Sequence, residues 1–202
     1  MAIDAYLYRT LYYCVNAEFY LITVSCEFMN STEALSHKIR KEFLEVPFPS
    51  HCGLHAAVAK DDWVKDERIL REITQRDDYI GKWWDVPKEH LLKCMMALSY
   101  LDAAGMEFYL PAYMSAIIES PSDFDEPKVK SSSWQIIHTM LPDEESQELK
   151  QYFHDRFSGF LGGKKQVCRE FLQYIESCRL YDEHARKIAQ EALGHEFWSS
   201  NR

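Results

Sequence analysis

Three side chains able to ligate a metal, His51, Cys52 and His55, fall within five residues of one another, directly after the Pro47 and Pro49 turn. Zinc takes four ligands in a structural site, or three and a water in a catalytic one, held on a rigid frame. No second cluster with ligand spacing follows, so the segment reads as a loop with a half-buried thiol, and neither a metal nor another cofactor is expected. A second pair, His90 and Cys94, falls on one face of a helix. A thiolate beside an imidazolium would begin a cysteine nucleophile, but Cys94 sits in a Met-rich apolar stretch, where a buried thiol is inert. The sequence also lacks a Gly-x-Ser-x-Gly elbow, a phosphate-cradling glycine loop and a His-Glu-x-x-His pair. An enzymatic reading, as a small hydrolase or metal-dependent enzyme, would have to be built on these two clusters alone, and no catalytic residue is assigned.

Carboxylates dominate the next segment. Asp61 and Asp62, Asp66 and Glu67, Asp77 and Asp78, and Asp123, Asp125 and Glu126 form four clusters. Between Asp61 and Glu126 fifteen acidic side chains face seven basic ones, so nearly all of the chain's net charge of −9 resides there. One such cluster is an ordinary solvated surface, and helix pairs such as Glu67 with Arg71 account for part of the set. An imbalance sustained across the whole segment favours a function, because like-charge repulsion opposes folding. A field of this kind repels nucleic-acid phosphates and draws in a basic protein. Trp83 and Trp84 are neighbours and must point in different directions. One suits the core, and the other suits a surface anchor of the type enriched at interface hot spots. A glycosidase needs two carboxylates across a cleft, and nothing in the spacing places them there.

The elements carrying these residues are predicted to be mainly α. With 202 residues, 47% of them apolar, the chain can bury roughly 70% of its unfolded surface in one domain. Residues 1–29 are β-like, with strands over 6–15 and 18–28 joined at Asn16 and Ala17 as a hairpin packed on the main domain, or alternatively an aromatic-rich helix. Residues 30–202 form the helical domain. Asn30 and Glu33 resemble a capping box for a helix running to about Glu45. A helix over 61–76 buries Trp63, Leu70 and Ile73. Another, capped by Asp85 and entered through Pro87, presents Leu91, Leu92, Met95, Met96 and Leu98. A helix over 104–119 kinks or begins at Pro111. After a loop at 121–133 come short helical stretches over 131–141 and 143–157, a break at Gly162 and Gly163, and one long helix over 164–193 before fraying ends. Six scattered cysteines suit free thiols in a reducing cytoplasm. The apolar first 26 residues contain no uncharged run long enough for a membrane span or signal peptide.

Several stretches resemble a bacterial domain-of-unknown-function family of small, helical, cytoplasmic proteins. They are Glu45 to Pro49; Trp83, Trp84, Asp85, Val86 and Pro87 leading to Ala97, Leu98, Ser99, Tyr100 and Leu101; Phe108, Tyr109, Leu110, Pro111, Ala112 and Tyr113; and Lys165, Gln166, Val167 and Cys168 with Phe171 and Leu172. The resemblance covers about residues 33–175 and implies a fold class without a catalytic residue. In charge and size the chain is also similar in type to immunity proteins that neutralise contact-dependent or polymorphic toxins. The resulting expectation is a cytoplasmic, non-enzymatic immunity or antitoxin-like protein, monomeric when free. It would occlude a basic toxin, such as a nuclease, with its acidic surface, and would bind neither nucleic acid nor membrane. A regulatory interaction module with another partner is the remaining alternative.

Overall fold

A computed structural model describes residues 31–124 and 133–199, and every regular element among them is helical. The mainly α prediction holds, whereas the N-terminal hairpin, Asp125 and Glu126 lie outside the described residues. The helices are α1 (31–42), α2 (Leu54–Asp61), α3 (Glu67–Asp77), α4 (Lys88–Lys93), α5 (Ala103–Glu119), α6 (Pro121–Phe124), α7 (Ser133–His138), α8 (Gln147–Arg156), α9 (Gly163–Ser177), α10 (Glu183–Gly194) and α11 (Glu196–Ser199), with 3-10 segments at Trp83–Asp85 and Met95–Tyr100.

The core helix is α5. Met106, Phe108, Tyr109, Leu110, Tyr113, Met114, Ile117 and Ile118 are buried around its whole circumference, the pattern of a helix with protein on every side. Both 3-10 segments, α4, α6 and α8 pack on it. The helix begins at Ala103, where the Asp102 side chain accepts from the Gly105 N–H, and runs through Pro111. Without an N–H, Pro111 leaves the Glu107 carbonyl short of its helical donor. Away from α5, α9 pairs with α10, α7 packs on α10, and α2 packs on both α3 and the Met95–Tyr100 segment.

Three predicted helices are broken where a side chain captures a backbone group. The helix expected over 61–76 is instead the end of α2 and the whole of α3. Asp66 caps α3 by accepting from the Arg68 and Ile69 N–H groups, a stronger preference than its place inside a helix would have been. The helix entered through Pro87 ends at Lys93 and tightens into a 3-10 segment. Tyr113 Oη lies 3.0 Å from the Leu91 carbonyl and 2.7 Å from that of Cys94, oxygens an unbroken helix would have used itself. The long last helix divides at Cys178–Asp182, where Asp182 accepts from the Ala185 N–H at 2.6 Å to start α10. Gly162 stands at φ 54°, in the left-handed region glycine tolerates, and α9 begins immediately after it. The C-terminal end is held rather than frayed as far as residue 199: Trp198 is buried, and its indole N–H donates to the Met140 carbonyl at 2.7 Å. No helix among the described residues is long and apolar enough to cross a membrane.

Candidate functional site

The His51–Cys52–His55 cluster comes apart in three dimensions. His51 Nε2 lies 2.5 Å from Asp102 Oδ2, and the Cys52 side chain turns into the core. His55 directs both its ring Nδ1 and its backbone N–H to Asp78 Oδ1, at 3.0 and 3.1 Å. The three donors therefore serve three different partners. No group of three metal-ligating side chains converges among the described residues.

Asp78 is the unexpected member of this arrangement. Its side chain is 1% exposed, and its carboxylate meets the N-terminal end of α2, where unpaired N–H groups and the positive end of the helix dipole favour an anion. Gly53, the residue before α2, makes the approach feasible, since a Cβ there would stand 2.1 Å from Asp78 Oδ2. Thr74 braces the same junction by accepting from the Gly53 N–H and donating to the Leu70 carbonyl. The His90 ring packs edge-on against His55, with centroids 5.0 Å apart. Burial pushes the Cys94 thiol up to about 11, with the negative charge of Asp78 adding to the effect and Lys93 opposing it. Cys52 is likewise pushed up by burial, against the pull of Lys60. The thiolate a cysteine nucleophile requires is thus the disfavoured form at both positions.

The acidic clusters are unequal once folded. Asp78 is interior and leaves the proposed surface. Glu67 pairs with Arg71 at 3.1 Å and Asp77 with Arg76 at 2.6 Å, while Asp123 pairs with Lys88. Trp83 is also interior, 1% exposed, with its indole N–H donated to the Phe43 carbonyl at 2.9 Å. It cannot contact a partner. Trp84 remains half-buried beneath the Arg40 guanidinium, 4.6 Å from the ring centre.

The turn between α2 and α3 holds the rest. Asp61, Asp62, Asp66 and Glu67, the last in its pair with Arg71, are all exposed there, and between them stands Trp63, predicted buried but 80% exposed, with Lys65 Nζ 5.7 Å from its ring centre. Trp63 adopts φ 66°, alone among the described non-glycine residues in having positive φ. This left-handed conformation costs a residue with a Cβ about 1–2 kcal/mol. Asp61 accepts from the Tyr100 hydroxyl, joining the turn to a strip in which Val58, Met96 and Tyr100 are 36%, 50% and 36% exposed. The sequence hid this feature because Trp63, Leu70 and Ile73 fit a helical period. The capping capacity of Asp66 was the signal against it.

Neither a curated protein nor a solved structure matches the chain. A family of unknown function, DUF6714, has a sequence model that matches residues 31–202, from the first described helix onward. On that match, which spans most of its length, the chain belongs to the DUF6714 family of unknown function.

Proposed function

We propose that the α2–α3 turn is a docking surface through which this protein binds and neutralises a basic protein toxin, as immunity and antitoxin proteins do, in a bacterial cytoplasm. The observation that carries this reading is Trp63: a large apolar ring, 80% exposed in a strained backbone conformation and flanked by four carboxylates. Burying that ring in a partner would recover the area it now exposes to water, and tryptophan is among the residue types enriched at interface hot spots. Strain of this kind concentrates at functional positions. Asp61, Asp62, Asp66 and Glu67 would supply the complementary field for a surface of lysines and arginines. The side chains of a nuclease that hold phosphate meet the same requirement. Inhibition by occlusion needs no chemistry from the inhibitor, which accords with the burial of Cys52 and Cys94.

The test is association kinetics with a partner captured from the native host. Charge steering predicts fast association at low salt and a marked slowing as the Debye length falls from about 30 Å at 0.01 M to about 8 Å at 0.15 M. Rates indifferent to salt would remove the electrostatic part of the proposal. A partner with no toxic activity would keep the docking surface and remove the immunity role.

A further inference from the structure

Arg156, at the end of α8, is a buried cation without a counter-ion. It is 7% exposed, and no carboxylate lies within ion-pairing distance of it among the described residues. Its Nη2 donates to the Leu98 carbonyl at 2.7 Å and lies 3.4 Å from Met106 Sδ, and its guanidinium sits over the Tyr152 ring at 5.0 Å. These neutral contacts orient the group and leave its charge uncompensated, and Nε is buried with no partner at all. A buried charge in that condition is costly. Burial correspondingly pulls Arg156 below the usual arginine range.

Arg156 lines a half-open cleft of about 240 Å³, together with Met95, Met96, Trp134, Gln135 and Leu149. Gln135 contributes a second unmet group, since its Oε1 is buried without a donor. Exchanging the amide's O and N, which share one shape, would turn that acceptor into a donor. Leu141 and Phe153 extend the apolar lining, while Ser99, His138 and Thr139 add neutral or cationic polar groups that an anion tolerates. Asp143 also lines the cleft, with its Oδ1 engaged by the Glu145 N–H at 2.9 Å, so an anion must sit toward Arg156 and away from it.

We infer that this cleft is a binding site for a carboxylate carried on an apolar stem, with Arg156 as its counter-ion, the Gln135 amide as a second donor, and Met95, Met96, Trp134 and Leu149 around the stem. The volume is the share of about eight liquid waters, which suits a ligand of about nine non-hydrogen atoms. A single guanidinium balances one negative charge, whereas a doubly charged phosphate would carry a second, uncompensated charge into the cleft beside Asp143. The site shares Met96 with the strip beside the Trp63 turn but contains neither Trp63 nor any of the turn's carboxylates, so either assignment can fail without the other.

Sodium benzoate and uncharged benzamide are the first pair of probes, added to the full chain at millimolar concentration while melting temperature and the arginine Nε–H resonances are followed. Benzoate should raise the melting temperature saturably and shift one Nε–H resonance, the one missing from an Arg156→Met spectrum. Benzamide should do neither. Gln135→Leu should weaken benzoate by about tenfold or more, and this variant carries the test if Arg156→Met does not fold. N-acetyl-glycyl-phenylalanine, compared with its C-terminal amide, separates the two sources of such a group. Tighter binding of the peptide acid than of benzoate would assign the site to a chain terminus, and the reverse would assign it to a small free acid. No saturable response to either acid, or an equal response to benzamide, would overturn the inference.

Discussion

Gly53 and Asp78 are in mutual contact, with the carboxylate of one occupying the space where a side chain of the other would be: a Cβ on Gly53 would meet Asp78 Oδ2 at 2.1 Å. The backbone of Gly53, at φ −87° and ψ −170°, is one that alanine also adopts, so the contact alone makes glycine necessary. Gly53→Ala should therefore displace Asp78 from α2 and destabilise the protein by about 1–3 kcal/mol, measured by urea unfolding. In an Asp78→Ala background, where the carboxylate is gone and only the Cβ contact at 3.0 Å remains, the same change should cost clearly less. Equal costs in both backgrounds would show that the contact is not the cause.

Trp63 gives a prediction of the opposite sign. A left-handed residue relaxes when it becomes glycine, and an 80% exposed ring contributes little to folding. Trp63→Gly should leave stability unchanged or raise it by at most about 1 kcal/mol, the relief being partly offset by the greater freedom of glycine in the unfolded chain. A loss of more than about 1 kcal/mol in thermal or urea unfolding would mean that the ring packs on the fold.

The general fold was legible because it rests on periodic apolar residues: the helix expected over 104–119 is α5, although it neither begins nor ends at Pro111. Boundaries failed where a polar side chain competed for backbone groups, as at Asp66, Tyr113 and Asp182. The candidate site was only partly legible. The charge imbalance directs attention to the segment that holds the α2–α3 turn, and Trp84 is half-buried, but Trp83 and Asp78 are interior because their partners, the Phe43 carbonyl and the N-terminus of α2, are remote in sequence. Arg156 carried no sequence signal, since nothing in its local spacing reveals that no carboxylate reaches it.

The buried thiols set a chemical expectation. With Cys94 pushed up to about 11, iodoacetamide at pH 7.5 should leave it unlabelled in the native protein and label it fully in urea, as read by peptide mass mapping. Because its folded value lies above the unfolded value of about 8.5, the stability it contributes is complete below that value and is lost as pH rises toward 11. Cys94→Ala should flatten the alkaline decline of the urea midpoint. Native labelling as fast as in urea would revive a reactive role for His90 and Cys94.

Asp102 acts in the other direction. Burial pushes its carboxyl up, yet the Gly105 N–H and the His51 ring together hold it below the usual carboxylate range. Its contribution is therefore complete above the unfolded value of about 3.9 and is lost as pH falls through the lower folded value. Asp102→Ala should cost about 1 kcal/mol at pH 6, the usual loss of a helix N-cap, and less at pH 3. An identical cost at both pH values, by urea unfolding, would remove the ionised carboxylate from the account.

The central claim is that Trp63 anchors a basic partner, and the most direct measurement is the affinity of Trp63→Gly for the partner captured by the unaltered chain. A hot-spot tryptophan is worth at least about 2 kcal/mol, or about 30-fold in Kd. The account predicts a loss of that size or greater, mainly through faster dissociation, in a variant that melts no lower than the parent. A variant that binds with unchanged Kd would contradict it.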